Sequence, residues 1–201
     1  MKPLNGQFMN QIYNINFSKI VAPFFPDPTQ DIHLFDRELG QKIRQKIEQI
    51  FSENSSEIVY FLNFNNICSI DYSCADELVG KLLSRLLADE YGAIYFVLKD
   101  LNRNHQENIQ VVLDRRKVGC LEQTKDNGWN FWGHRTNSLL ETLSLIMEKG
   151  EITARELKEQ FNLELSTSST RLSQLYKAHL VSRHQVVING GGMEYLYKKL
   201  F

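Results

Sequence analysis

The chain has 201 residues, 42% of them apolar, and 23 Lys/Arg against 24 Asp/Glu leave a formal net charge of −1. That size fits one large domain or two modest ones. The composition excludes a disordered tail, a collagen-like chain and a protein that coats polyanions by bulk charge, and no apolar run approaches the roughly 20 residues of a membrane span.

The opening stretch, MKPLNGQFMNQIYNINF, has no basic segment leading into an apolar core, so no secretory signal is expected and a cytoplasmic location is. The three cysteines, Cys68, Cys74 and Cys120, form no C-x-x-C pair, which points to reduced thiols. The five histidines are scattered with no H-E-x-x-H among them, so neither a metal nor a cofactor is expected.

Taken in chain order, NQIYNINFSKIV mixes alternation with β-branched residues and predicts one or two strands. APFFPDPTQD holds three of the four prolines and predicts a loop. From Asp36, Leu39, Ile43, Ile47 and Ile50 fall on one face of an amphipathic helix. EIVYFLNF and AIYFVL read as buried strands, and between them DELVGKLLSRLLADEYG reads as a helix ended by Gly92. A helix over HQENIQVVLDRRKVG follows, then a terminal hairpin or strand in LEQTKDNGWNFWG with Asn127-Gly128 as its turn. Helices alternating with apolar strands predict an α/β domain, a mixed sheet of about four or five strands covered by helices. Past Gly133 the pattern changes to three helices and a hairpin, which places a linker at 133–136 and divides the chain into domains 1–133 and 134–201.

Three motifs of the first domain stand in order: RELGQKI (Arg37 to Ile43), LNFNNI (Leu62 to Ile67) and SCADEL (Ser73 to Leu78). Over roughly residues 30 to 122 this pattern resembles a bacterial STAS-like family related to the anti-sigma-factor antagonists. Asn63 replaces that family's usual strand aspartate. In the antagonists a D-S-S/T-G corner carries a phosphorylated hydroxyl; here Asp71 matches the aspartate and Ser73 the phosphoacceptor, while Tyr72 and Cys74 depart from the pattern. The resemblance implies a protein-binding or signal-receiving module with no catalytic activity, whose partner corner is Asp71, Ser73, Asp76 and Glu77. It also implies a kinase-like ATPase or another signalling protein as partner.

That corner, SIDYSCADELVGKL, supports three chemical readings. Ser73 as N-cap with Asp76 at N3 and Glu77 beside it approaches a capping box, worth on the order of 1 kcal/mol. A phosphate on Ser73 would meet free helix N–H groups but also the repulsion of Asp71, Asp76 and Glu77. Cys74 as a nucleophile would need a base such as His33 or His105 brought near in space, while its acidic neighbours disfavour the thiolate.

In the second domain Leu139, Leu143, Ile146 and Met147 give a first helix its apolar face, and Gly150 ends it. Thr153-x-x-Glu156 is a capping box opening a second helix that buries Leu157 and Phe161, and Ser166 is expected to cap a third. VSRHQVVI and MEYLYKKL form a hairpin around NGGG. The run I-T-x-x-E-L, S-x-S-T-x-x-L-x-x-L, L-V-x-R and G-G-G-x-x-Y resembles a small α+β winged helix-turn-helix domain of prokaryotic transcription regulators. That resemblance implies double-stranded DNA as partner, read by the third helix through Ser166, Thr167, Ser168, Thr170, Arg171, Gln174 and Lys177. Arg183, His184, Lys198 and Lys199 would reach phosphates from the wing, with Gly190 to Gly192 at its tip. Residues 134–201 carry nine Lys/Arg against seven Asp/Glu, a modest electrostatic footprint that a homodimer would double. The alternative is an adaptor in which both domains bind proteins.

Overall fold

The computed structural model describes residues 11–27, 29–51, 57–134, 136–187 and 191–201. Strand β1 (Gln11–Asn16) leads into a short helix α1 (Phe17–Val21) and a 3-10 turn (Ala22–Phe24). After β2 (His33–Leu34) come α2 (Arg37–Phe51), β3 (Ile58–Asn63) and β4 (Ser69–Ile70). Helix α3 (Tyr72–Ala75) continues through a π-helical turn (Asp76–Gly80) into α4 (Lys81–Leu87). β5 (Ile94–Lys99), α5 (Arg103–Arg116), β6 (Gly119–Gln123) and β7 (Trp129–Gly133) complete the first part.

The main sheet runs β1-β3-β5-β6-β7, parallel except for its last pair. Each parallel crossover moves one place in the same direction. Such crossovers are almost always right-handed, so all the connecting helices must fall on one face. The core bears this out. Tyr60, Leu62, Phe96, Leu98 and Cys120 point into one cluster with Ile43 and Ile47 of α2, Leu82 and Leu86 of α4, and Ile109 and Leu113 of α5. The alternate residues Val59, Phe61, Tyr95, Val97 and Leu121 face the other way and need a second cover.

The C-terminal part supplies that cover. It comprises α6 (Asn137–Lys149), β8 (Glu151–Thr153), α7 (Ala154–Phe161), α8 (Leu165–Lys177), β9 (Ser182–Val187) and β10 (Met193–Lys198). The three strands form an antiparallel sheet in the order β8-β10-β9. Leu143, Ile146, Leu172, Leu175 and Tyr197 join the sheet residues in one buried cluster. The ring of Phe201 packs edge-on to Phe61, centroids 5.6 Å apart. His179, turned into the left-handed region (φ 54) after α8, places Nδ1 3.0 Å from the carbonyl oxygen of Ile94. The seam at 133–136 therefore lies between β7 and α6, yet the hydrophobic core is continuous across it.

Several local expectations need correction. Residues 17–21 are helical, because Asn16 Oδ1 accepts from both Ser18 N (3.1 Å) and Ser18 Oγ (2.7 Å) and turns the chain out of the strand. The helix expected to reach Gly92 ends at Leu87, and left-handed Asp89 (φ 60) and Gly92 (φ 68) carry the chain into β5. α8 opens at Leu165 behind Glu164, two residues before the expected Ser166 cap, because Ser168 N already bonds Glu164 O at 3.0 Å. Strand β8 was not expected. It is three residues long, and its pairing with β10 lies more than 40 residues downstream, beyond any local pattern. The capping box Thr153/Glu156 forms as read, with Thr153 N donating to Glu156 Oε2 at 2.7 Å. Gly190, at the expected hairpin tip, lies outside the described residues, as do Arg135 in the seam and the first ten residues.

Candidate nucleic-acid interface and signalling corner

At the corner the cap is Asp71 and not Ser73. Asp71 Oδ1 accepts from Cys74 N at 2.7 Å, and its Oδ2 accepts from Asp36 N at 3.2 Å. Asp36 in turn caps α2 through Leu39 N (2.8 Å), so one carboxylate ties together the starts of two helices. A carboxylate at a helix start gains from the macrodipole as well as the hydrogen bond, which is why it displaces the serine two places later. Ser73 sits half-buried in the first turn.

Asp76 and Glu77 are interior residues, contrary to their expected place on an exposed corner. The π-helical turn, closed by Lys81 N donating to Asp76 O, swings two consecutive carboxylates inward. Asp76 Oδ1 pairs with Arg116 Nε of α5 at 2.6 Å. Glu77, almost wholly buried, pairs with Arg37 (2.7 Å), Lys81 (2.5 Å) and Arg44 (3.5 Å). Burial alone would raise both carboxyls, but Arg116 and Arg37 around Asp76, and Lys81 and Arg37 around Glu77, hold them below the usual range. The network continues from Arg44 to Glu48 (2.9 Å), and from Glu48 to Arg85 (2.5 Å) and the Tyr91 hydroxyl (2.6 Å).

Glycines make this crossing possible. A Cβ on Gly40 would lie 2.9 Å from Glu77 Cβ and 3.0 Å from Cys74 O, and one on Gly80 would strike Arg116 Nε and Val112 Cγ1 at 2.6 Å. Arg37, Gly40 and Arg44 therefore share one face of α2, pressed onto the π turn. The motif pair RELG and SCADE is a helix–helix lock. Asn63 Oδ1 accepts from Asn65 N at 2.7 Å and shapes the turn after β3.

Cys74 is buried, and burial first, then Asp71, Asp36 and Glu77, pushes its thiol up to about 12. His33 Nδ1 hydrogen-bonds Ser69 Oγ (2.7 Å), and His105 Nδ1 accepts from Asn102 N (3.2 Å), so each candidate base is engaged elsewhere. The thiol stays protonated at neutral pH. No group of three or more His, Cys, Asp or Glu side chains among the described residues is placed to hold a metal.

On α8 the pattern separates into two faces. Leu172, Leu175 and Ser168 are buried, while Ser166, Thr167, Thr170, Gln174 and Lys177 are exposed and Arg171 is half-exposed. Ser168 is thus not an outward residue. Its Oγ bonds back to Glu164 O (3.2 Å), and this satisfied hydroxyl lets it pack inward. Thr170 Oγ1 likewise spends its proton on Ser166 O (2.8 Å), leaving lone pairs that accept and no free donor for a phosphate.

The hairpin residues are more constrained than expected. Arg183 stacks over the rings of Tyr176 (4.1 Å) and Tyr195 (4.2 Å), an aromatic clamp for which the linear sequence carries no spacing signal. Lys198 Nζ pairs with Glu151 at 3.4 Å. His184 and Lys199 are half-buried. Arg44, Arg116 and Glu48 of the ionic network lie outside the three sequence motifs. The i, i+7 spacing of Arg37 and Arg44 was a usable signal, but Arg116 comes from 40 residues away.

No helix among the described residues is long and apolar enough to cross a membrane. No protein-family model matches the chain, and no curated protein matches it either. Among solved structures, one described as a possible transcriptional regulator from Methanosarcina mazei Go1 is similar at 24% identity with a TM-score of 0.30. That likeness covers 32% of this chain and 56% of the other, so the chain matches little more than half of that structure's length.

Proposed function

We propose that this chain is a cytoplasmic transcription regulator, not an enzyme, in which a STAS-like domain receives a signal or a partner and a C-terminal winged helix reads double-stranded DNA. The observation that carries the reading is the division of α8. Its apolar side is spent on the core, and Ser166, Thr167, Thr170, Arg171, Gln174 and Lys177 are left on or near the surface. Hydroxyl, amide and cationic groups on the second helix of a helix-turn-helix are the groups that meet base edges and phosphates. Packing against the parallel sheet uses Leu175, His179 and Phe201 and leaves that polar side uncovered.

Fluorescence anisotropy of full-length protein with a random duplex at low salt tests the reading. Binding that weakens with salt, and that falls on Arg171→Ala combined with Lys177→Ala, is expected. Absence of binding, or indifference to both substitutions, rejects it.

A second reading, an adaptor whose Ser73 corner is acted on by a kinase-like ATPase, is favoured by the position of Ser73 in the first turn of α3. Phosphopeptide mass spectrometry on protein from growing cells decides between occupancy and its absence. Homodimerisation is part of the first reading, because one copy carries few cations; sedimentation of the full chain with and without duplex measures it.

A further inference from the structure

Between the sheet and the C-terminal part lies a partly open cavity of about 190 Å³. Phe131 of β7, Leu139 and Leu143 of α6, and Leu175 of α8 form apolar walls drawn from both sides of the seam. Lys117 and His134 stand at its rim, both exposed. Gly119 keeps the space: a Cβ there would fall 2.2 Å from Phe131 Cζ, so the missing side chain lets that ring lie back against β6.

An apolar cavity of about 150 Å³ stays dry and takes up a benzene-sized molecule. This one has room for a six-membered ring and a small substituent. Among the described residues its lining includes no carboxylate, and the ionisable groups are a lysine and a histidine at the mouth. Apolar walls with a lysine and an imidazole at the rim match a molecule that is a flat hydrocarbon at one end and an anion at the other. We propose that the cavity binds a small monocyclic aromatic carboxylate, ring inward, with its carboxylate at Lys117 and His134. Such a ligand touches β7 on one side and α6 and α8 on the other, so its binding bears on how firmly the C-terminal part docks. The proposal stands whether or not α8 reads DNA.

The test is a titration of the full chain with benzoate and with toluene, followed by methyl NMR. Saturable shifts centred on the methyls of Leu139, Leu143 and Leu175 are expected from both probes. Lys117→Ala should weaken benzoate about tenfold, the loss of one charge-assisted contact, and leave toluene unchanged. Leu139→Trp, which fills the space from a half-buried position, should abolish both. Unmoved leucine methyls at about 10 mM benzoate, shifts centred elsewhere, or benzoate binding indifferent to Lys117→Ala overturn the proposal. Should Leu139→Trp disturb the fold by circular dichroism, the methyl map and the Lys117 variant decide it alone.

Discussion

Arg37 Nη1 lies 2.7 Å from Glu77 Oε1, and one turn further along α2 the backbone of Gly40 is pressed onto the Cβ of that same glutamate. Ion pair and close approach enforce each other. The arginine reaches a nearly buried carboxylate only because the glycine allows the helices to touch. Gly40→Ala should therefore cost about 1–3 kcal/mol through overpacking, and Glu77→Gln about 1–3 kcal/mol by removing the charged acceptor of Arg37 and Lys81, while buried Arg44 keeps Glu48. Urea midpoints with unchanged slope measure both. Changes within about 0.5 kcal/mol would place the lock outside the stability of the fold.

Asp71→Ala and Ser73→Ala separate the two capping assignments. Loss of Asp71 removes acceptors from Cys74 N and Asp36 N together, and should destabilise by about 1–2 kcal/mol. Ser73→Ala should stay within about 0.5 kcal/mol. The reverse order in thermal melts would restore the serine as cap.

Acid should act in two stages. His105 is fully buried, and burial pushes its pKa from 6.5 down to about 4. The unfolded chain therefore takes up a proton there first, and stability present above pH 6.5 is lost as pH falls from 6.5 towards 4. Below that, Asp76 and Glu77, held under their ordinary values of 3.8 and 4.5, contribute stability that disappears as pH falls through their folded values. His105→Gln keeps an N3 acceptor for Asn102 N but cannot titrate. It should flatten the upper stage by about one proton and spare the lower one; denaturant midpoints at intervals from pH 7.5 to 3 give the slopes.

The clamp on Arg183 should matter for DNA and little for folding. Tyr195→Ala removes one of its two stacked rings and should weaken duplex binding about threefold, the worth of one exposed cation–π contact. An unchanged affinity in the anisotropy assay would mean that Arg183 does not face the duplex.

Residues 1–133 expressed alone should expose Val59, Phe61, Tyr95, Val97 and Leu121, the sheet residues now covered by the C-terminal part. Burying each large apolar side chain is worth about 1.5–3 kcal/mol. The fragment should bind an apolar dye strongly and melt well below the full chain, whereas equal melting temperatures would show the two cores to be independent.

Most helices and strands were readable because their signals are local: the apolar period of α2, the uninterrupted runs of β3 and β5, and the Thr153/Glu156 box. What was not readable depends on distance or on competition between neighbours. Asp71 and Ser73 are both good caps, and the added hydrogen bond from Asp36, 35 residues away, which favours the aspartate further, leaves no local trace. The glutamate and aspartate of SCADE look like surface charges until Arg37, Arg44 and Arg116 arrive from two other helices. Ser168 resembles its exposed serine and threonine neighbours, and its burial follows from where α8 meets the core.

The one-directional order of the main sheet has a consequence for how such a protein can be recombined. A sheet wound on a single side is half of a sandwich, and here the C-terminal part supplies the other half through Leu143, Leu175 and Phe201. Grafting another unit after Gly133 would not be a simple exchange of heads. The incoming unit would need its own apolar plate, matched to Phe61, Tyr95 and Leu121, before the parent sheet could fold beneath it.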